Sequence, residues 1–86
     1  MDKAAFYRNT SEFVLANRPD SGEPAPMAEV PANENLFDLG LVTSYSMLEL
    51  VNFVEQLSGR EIDILNSDIT RLFTLEGIYD VAFGAK

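Results

Sequence analysis

The chain contains no cysteine and no histidine. The first absence excludes disulfides and thiolate nucleophiles, the second excludes the commonest general base, and together they remove the usual zinc ligands. No metal site and no catalytic residue is therefore expected. Basic residues are scarce, with 6 Lys and Arg against 14 Asp and Glu, for a net charge of −8. A phosphate backbone or an anionic membrane surface repels such a chain, so the sequence points to neither nucleic acid nor membrane and favours protein partners with basic surfaces. The plainer meaning of the charge is solubility. A long apolar run is also missing. The segment from Met1 to Arg8 is broken by Asp2, Lys3 and Arg8 and does not resemble a signal peptide, which makes a cytoplasmic location the expectation.

With 86 residues there is room for a single small domain, taken here as 1–86. A domain of that size buries only roughly 60 to 65% of its extended-chain surface, which leaves little room for a deep enzyme pocket. The hydrophobic fraction of 47% is that of a globular domain, not of a disordered segment.

Hydrophobic spacing places the elements. Phe6, Phe13 and Val14 recur at helical intervals and Ala4 and Ala5 favour helix, which predicts a first helix at about 3–16. All four prolines (Pro19, Pro24, Pro26 and Pro31) then fall in a segment that cannot be helical, and the predicted connection covers 17–42. Val30, Leu36 and Phe37 are candidates to pin its second half to the core. From Thr43 or Ser44 a second helix is predicted to about 58, with Met47, Leu50, Val51, Val54 and Leu57 on one face, Thr43 as cap and Ser58-Gly59 as stop. Arg60 to Leu65 alternates like a strand but has no partner strand, so an extended connector burying Ile62 is expected. Asn66, Ser67 and Asp68 offer caps for a short helix at about 67–73, and Thr74 caps a last helix at about 74–83 with Leu75, Ile78 and Ala82 inward. Gly77 weakens that helix by roughly 1 kcal/mol relative to alanine. The fold class is all-α, a four-helix bundle with one short member and a long loop between helices one and two.

The most informative stretch is Leu36-Phe37-Asp38-Leu39-Gly40-Leu41-Val42-Thr43-Ser44, which leads one serine to the mouth of the second helix. A serine hydroxyl is a weak nucleophile without a base, so a hydrolase built on Ser44 lacks its partner, and Ser44 is better suited to being acted upon. An anion attached there sits beside unpaired amides at the positive end of a helix, a placement that favours it by roughly 0.3 to 1 kcal/mol. Helical projection puts Leu48 and Glu55 along the line of Ser44, with Tyr45, Glu49 and Asn52 on the neighbouring exposed face. Taken alone, Thr43 and Ser44 do no more than begin a helix, Leu48 edges the core, Glu49 is a solvated charge and Tyr45 a half-buried aromatic.

The approach Leu36-Phe37-Asp38-Leu39-Gly40, the triplet Thr43-Ser44-Tyr45 and the continuation Glu49-Leu50-Val51 resemble the acyl, aminoacyl and peptidyl carrier-protein family, over about Asn33 to Phe83. The chain departs from the family in having Thr43 where an Asp is usual. Ser46 is a rival serine, but it stands two residues too close to Glu49. The resemblance implies a bundle of the acyl-carrier-protein type, with 4'-phosphopantetheine from coenzyme A attached covalently to Ser44. It implies that Thr43, Tyr45, Leu48, Glu49 and Asn52 flank the arm and meet partner enzymes. Those partners would be a phosphopantetheinyl transferase, an acyl- or aminoacyl-loading ligase or transferase, and downstream synthase or tailoring enzymes. The Gly40-to-Ser44 spacing resembles discrete carriers of polyketide or nonribosomal peptide pathways, so a free-standing monomeric carrier is the expectation. Met47, Val51 and Ile62 are candidates to line a groove between helices two and three, although all three read first as core. The alternative function is a helical interaction module that keeps this fold without the prosthetic group.

Overall fold

Three α-helices and one 3-10 helix make up the regular structure in a computed structural model that describes residues 2–19, 22, 24, 27–63 and 69–84. No strand occurs among the described residues. The first helix, α1, runs Lys3–Ala16 and begins where Asp2 accepts from the Ala5 amide at 2.8 Å. It ends at Asn17, whose side-chain amide donates to the Phe13 carbonyl at 2.8 Å. Its buried residues are Phe6, Thr10, Ser11, Val14 and Leu15. The inward stripe thus passes through two hydroxyl residues that hydropathy alone did not single out. Phe13, one of the residues whose spacing marks the helix, is half-buried at the edge of the core and stacks on Phe53, with centroids 4.3 Å apart.

The long connection is tied down at its second half. The Ser11 hydroxyl accepts from the buried Val30 amide at 2.7 Å, the Leu36 amide donates to the Phe73 carbonyl at 2.7 Å, and the Glu76 amide donates to the Ala32 carbonyl at 2.9 Å. Val30, Leu36, Leu41 and Val42 are buried along this half. The approach to the next helix is a turn held by Asn35, whose side chain accepts from the Phe37 amide at 2.8 Å and the Asp38 amide at 3.1 Å. Gly40 closes it at φ 74°, a left-handed conformation that glycine adopts without Cβ strain.

The second helix, α2, runs Ser44–Ser58 and buries Met47, Leu50, Val51 and Val54. Gly59, at φ 71°, stops it and donates its amide to the Glu55 carbonyl at 2.9 Å. The chain then extends through 60–63 with Ile62 buried and its amide donating to a Glu55 carboxylate oxygen at 2.8 Å. The expected remainder of that connector, the cap residues Asn66 to Asp68 and the expected start of the short helix at 67 lie outside the described residues. The short helix is seen as a 3-10 helix, Ile69–Phe73. Where a bundle of four helices was expected, the described residues hold three α-helices and one five-residue 3-10 helix.

Thr74 caps the last helix, α3 (Leu75–Phe83), by accepting from the Gly77 amide at 3.0 Å. Leu75, Ile78 and Ala82 are buried. Gly77 was expected only to weaken this helix, but the 3-10 backbone crosses so closely that a Cβ at Gly77 would collide with the Arg71 carbonyl. The core gathers Phe6, Leu36, Leu50, Val54, Leu72, Leu75 and Ile78 from every element and the loop. The Cα radius of gyration is 12.0 Å, close to the value of about 12 Å for a well-packed chain of this length.

Candidate functional site

Ser44 is the first residue of α2, and its side chain is exposed. The capping work is done around it. The Thr43 hydroxyl accepts from the Ser46 amide at 3.2 Å, and the Ser46 hydroxyl accepts from the Thr43 amide at 2.7 Å, a reciprocal capping box. Ser46, the rival serine, is thereby committed to the helix start. Thr43 performs the cap that an Asp would perform at the same place, without the negative charge. Ser44 is left with no structural task. Among the described residues, no hydrogen bond to its hydroxyl and no protein acceptor for the Ser44 or Tyr45 amide is present. The sequence lacks histidine, and among the described residues no carboxylate bonds to the hydroxyl.

Ser44 is one of the residues lining a groove of about 300 Å³ between α2 and the 3-10 helix. Apart from Ser44 its lining is apolar: Met47, Leu48 and Val51 come from α2, Ile69, Leu72 and Phe73 from the 3-10 helix, and Phe37 from the turn. Phe37 and Phe73 meet edge to face, with centroids 5.2 Å apart at 75°. Two of the groove residues, Leu48 at 59% and Ile69 at 49%, are exposed large apolar side chains, and Tyr45, the neighbour of Ser44 in the chain, is 73% exposed. Neither the half-buried setting considered for Tyr45 nor the core-edge setting considered for Leu48 is what the fold provides.

The structure divides the residues expected to flank Ser44. Leu48 shares its groove, and Thr43 and Tyr45 adjoin it in the chain, but Glu49 and Asn52 face α1 and line a different hollow with Phe13, Asn17, Phe53 and Gln56. Of the candidate groove residues, Met47 and Val51 are buried and line the groove, whereas Ile62 is buried and does not. Glu55 lies on the line of Ser44, yet its carboxylate is bound to the Ile62 amide. The sequence reading missed Phe37, Ile69, Leu72 and Phe73 as groove residues. The only trace of them is apolar character in a turn and in a short helix.

Among the described residues no group of acidic side chains is placed to hold a metal ion, and no helix is long and apolar enough to cross a membrane. Compared with known proteins, the chain matches no family model, and no curated protein or solved structure is similar to it.

Proposed function

We propose that this chain is a carrier protein in which Ser44 bears 4'-phosphopantetheine and the fold conveys the attached group between enzymes. The observation that carries the proposal is the division of labour at the start of α2: Thr43 and Ser46 close the cap, and Ser44 is exposed, takes no part in that cap and lines an apolar groove. These residues fit the group. A phosphodiester on Ser44 would meet the unpaired first-turn amides and the positive end of the helix, worth roughly 0.3 to 1 kcal/mol. The groove walls of Leu48, Val51 and Ile69 offer apolar surface to whatever lies against them. When bound, the arm supplies a terminal thiol that holds an acyl or aminoacyl group as a thioester. The protein's own part is to present Ser44 to a transferase that brings its own base, and to offer Tyr45, Leu48 and Thr43 as the surface that loading and downstream enzymes meet.

In this reading the arrangement is a carrier-type bundle in which the 3-10 helix is the short member. The chain then acts as a carrier of a polyketide or nonribosomal peptide pathway. The test is intact mass after incubation with coenzyme A and a broad-specificity phosphopantetheinyl transferase. One adduct that disappears in Ser44→Ala is expected; no adduct, or one that persists in Ser44→Ala, refutes the proposal.

A second reading is a protein-interaction module that uses the same surface unmodified. Exposed Tyr45, Leu48 and Ile69, together with Thr43 in place of an acid beside Ser44, favour it. It predicts that the chain stays unmodified in the mass experiment and still binds its partner through Leu48.

A further inference from the structure

The elements of this fold are joined in two different ways. The second half of the connection between α1 and α2 is hydrogen-bonded to α1 through Ser11, to the 3-10 helix through Phe73 and to α3 through Glu76. The 3-10 helix is in turn tied to α3, by the ion pair of Arg71 with Asp80 at 3.8 Å and by the close passage of the Arg71 carbonyl over Gly77. These parts form one cross-linked frame. The attachment of α2 to it is of another kind. Among the described residues its side-chain hydrogen bonds stay within its own turns or go to residues that flank it in the chain, and none reaches α1, the 3-10 helix or α3. It meets those elements through apolar side chains, the buried Met47, Leu50, Val51 and Val54 and the ring of Phe53 stacked on Phe13.

A directional bond fixes one position, whereas apolar contact has no direction and lets a packed helix slide by small steps. Both ends of α2 are also jointed alike. Gly40 precedes it at φ 74° and Gly59 follows it at φ 71°, and a Cβ at either would meet no atom within 4 Å, in contrast to Gly77. One bond spans the second joint. The Glu55 carboxylate accepts from the Ile62 amide at 2.8 Å, seven residues on, and the Ile62 side chain is buried.

We propose that α2 is the moving wall of the Ser44 groove: it shifts as an intact helix against the frame, between joints at Gly40 and Gly59, and the bond from Ile62 to Glu55 is the latch that holds it in the position seen. The opposite wall, Ile69, Leu72 and Phe73, stays with α3. The groove beside Ser44 is thereby adjustable in width without the loss of any tie in the frame. The device does not depend on modification of Ser44.

The test uses the full, unmodified chain labelled with nitrogen-15 and relaxation dispersion at its backbone amides, which reads exchange with a minor state. One shared exchange rate is expected at Leu48, Val51 and Val54 of α2 and at Gly40, Gly59 and Ile62, with flat profiles at Val30, Glu76 and Ile78 of the frame. Glu55→Ala is expected to raise the minor population roughly fivefold, the effect of losing one hydrogen bond. Glu55→Gln keeps an acceptor oxygen and is expected to stay near the parent value. Flat profiles throughout α2, exchange confined to Ile69–Phe73, exchange shared by Val30 and Glu76, or a Glu55→Ala variant that loses stability with no change in the α2 profiles would each overturn the proposal. If Glu55→Ala does not fold, the pattern in the parent chain decides. None of these outcomes bears on whether Ser44 accepts an arm, because no arm is present in the experiment.

Discussion

Single residues in this chain do opposite things with similar groups. Thr10 and Ser11 are adjacent and both buried, yet Ser11 accepts from the Val30 amide whereas the Thr10 hydroxyl has no hydrogen-bond partner among the described residues. An unmet buried hydroxyl costs free energy that an apolar group of the same shape does not. Thr10→Val is therefore expected to raise stability by about 1 kcal/mol, and Ser11→Ala to lower it by about 1 to 3 kcal/mol by stranding a buried amide. Urea unfolding of the two variants beside the parent chain reads both signs. The same contrast governs the pair around the candidate site. Thr43→Ala removes the cap and is expected to cost about 1 kcal/mol, while Ser44→Ala leaves the midpoint of unfolding unchanged because the Ser44 hydroxyl supports nothing. A loss of stability in Ser44→Ala as large as that in Thr43→Ala would show that the hydroxyl belongs to the fold.

Elements explain what the sequence did and did not reveal. The helices α1, α2 and α3 carry their own local signals: apolar residues every three or four positions, Asp2, Thr43 and Thr74 at the starts, and Gly59 after the second. Such signals act over one turn of chain and are legible without the fold. The 3-10 form of Ile69–Phe73 is not, because it follows from how that segment wedges against α3. Gly77 makes the same point. Read along the chain it is a flaw in a helix that alanine would repair, but in space it is where the Arg71 carbonyl approaches too closely for any Cβ. Gly77→Ala is expected to lower stability despite the gain of roughly 1 kcal/mol in helix propensity. A raised thermal midpoint would mean that the 3-10 helix does not press on α3. The Ser44 groove was equally hidden, since Phe37, Leu48 and Phe73 are far apart in sequence and only packing brings them to one surface. The hydroxyl itself was legible because the capping chemistry at Thr43 is local.

At the scale of the whole molecule, the second half of the connection between α1 and α2 adds hydrogen-bonded ties to a core that the helices already share. It is bonded to Ser11 of α1, to Phe73 of the 3-10 helix and to the start of α3 through Glu76. Hydrogen exchange at the Val30, Leu36 and Glu76 amides should accordingly be as slow as at Leu50 and Val54 in the middle of α2; rapid exchange at these three amides would show the loop opening on its own. The arrangement gives α2 an apolar groove lined by Ser44 on one side and a hollow lined with Phe13 and Asn17 of α1 on another. The account rests on the first of these. Its most direct test is fragmentation mass spectrometry of the chain after treatment with coenzyme A and a phosphopantetheinyl transferase, locating any added group to a residue. The group is predicted on Ser44 alone; its presence on Ser46, or an unmodified chain under conditions that load a known carrier, would contradict the account.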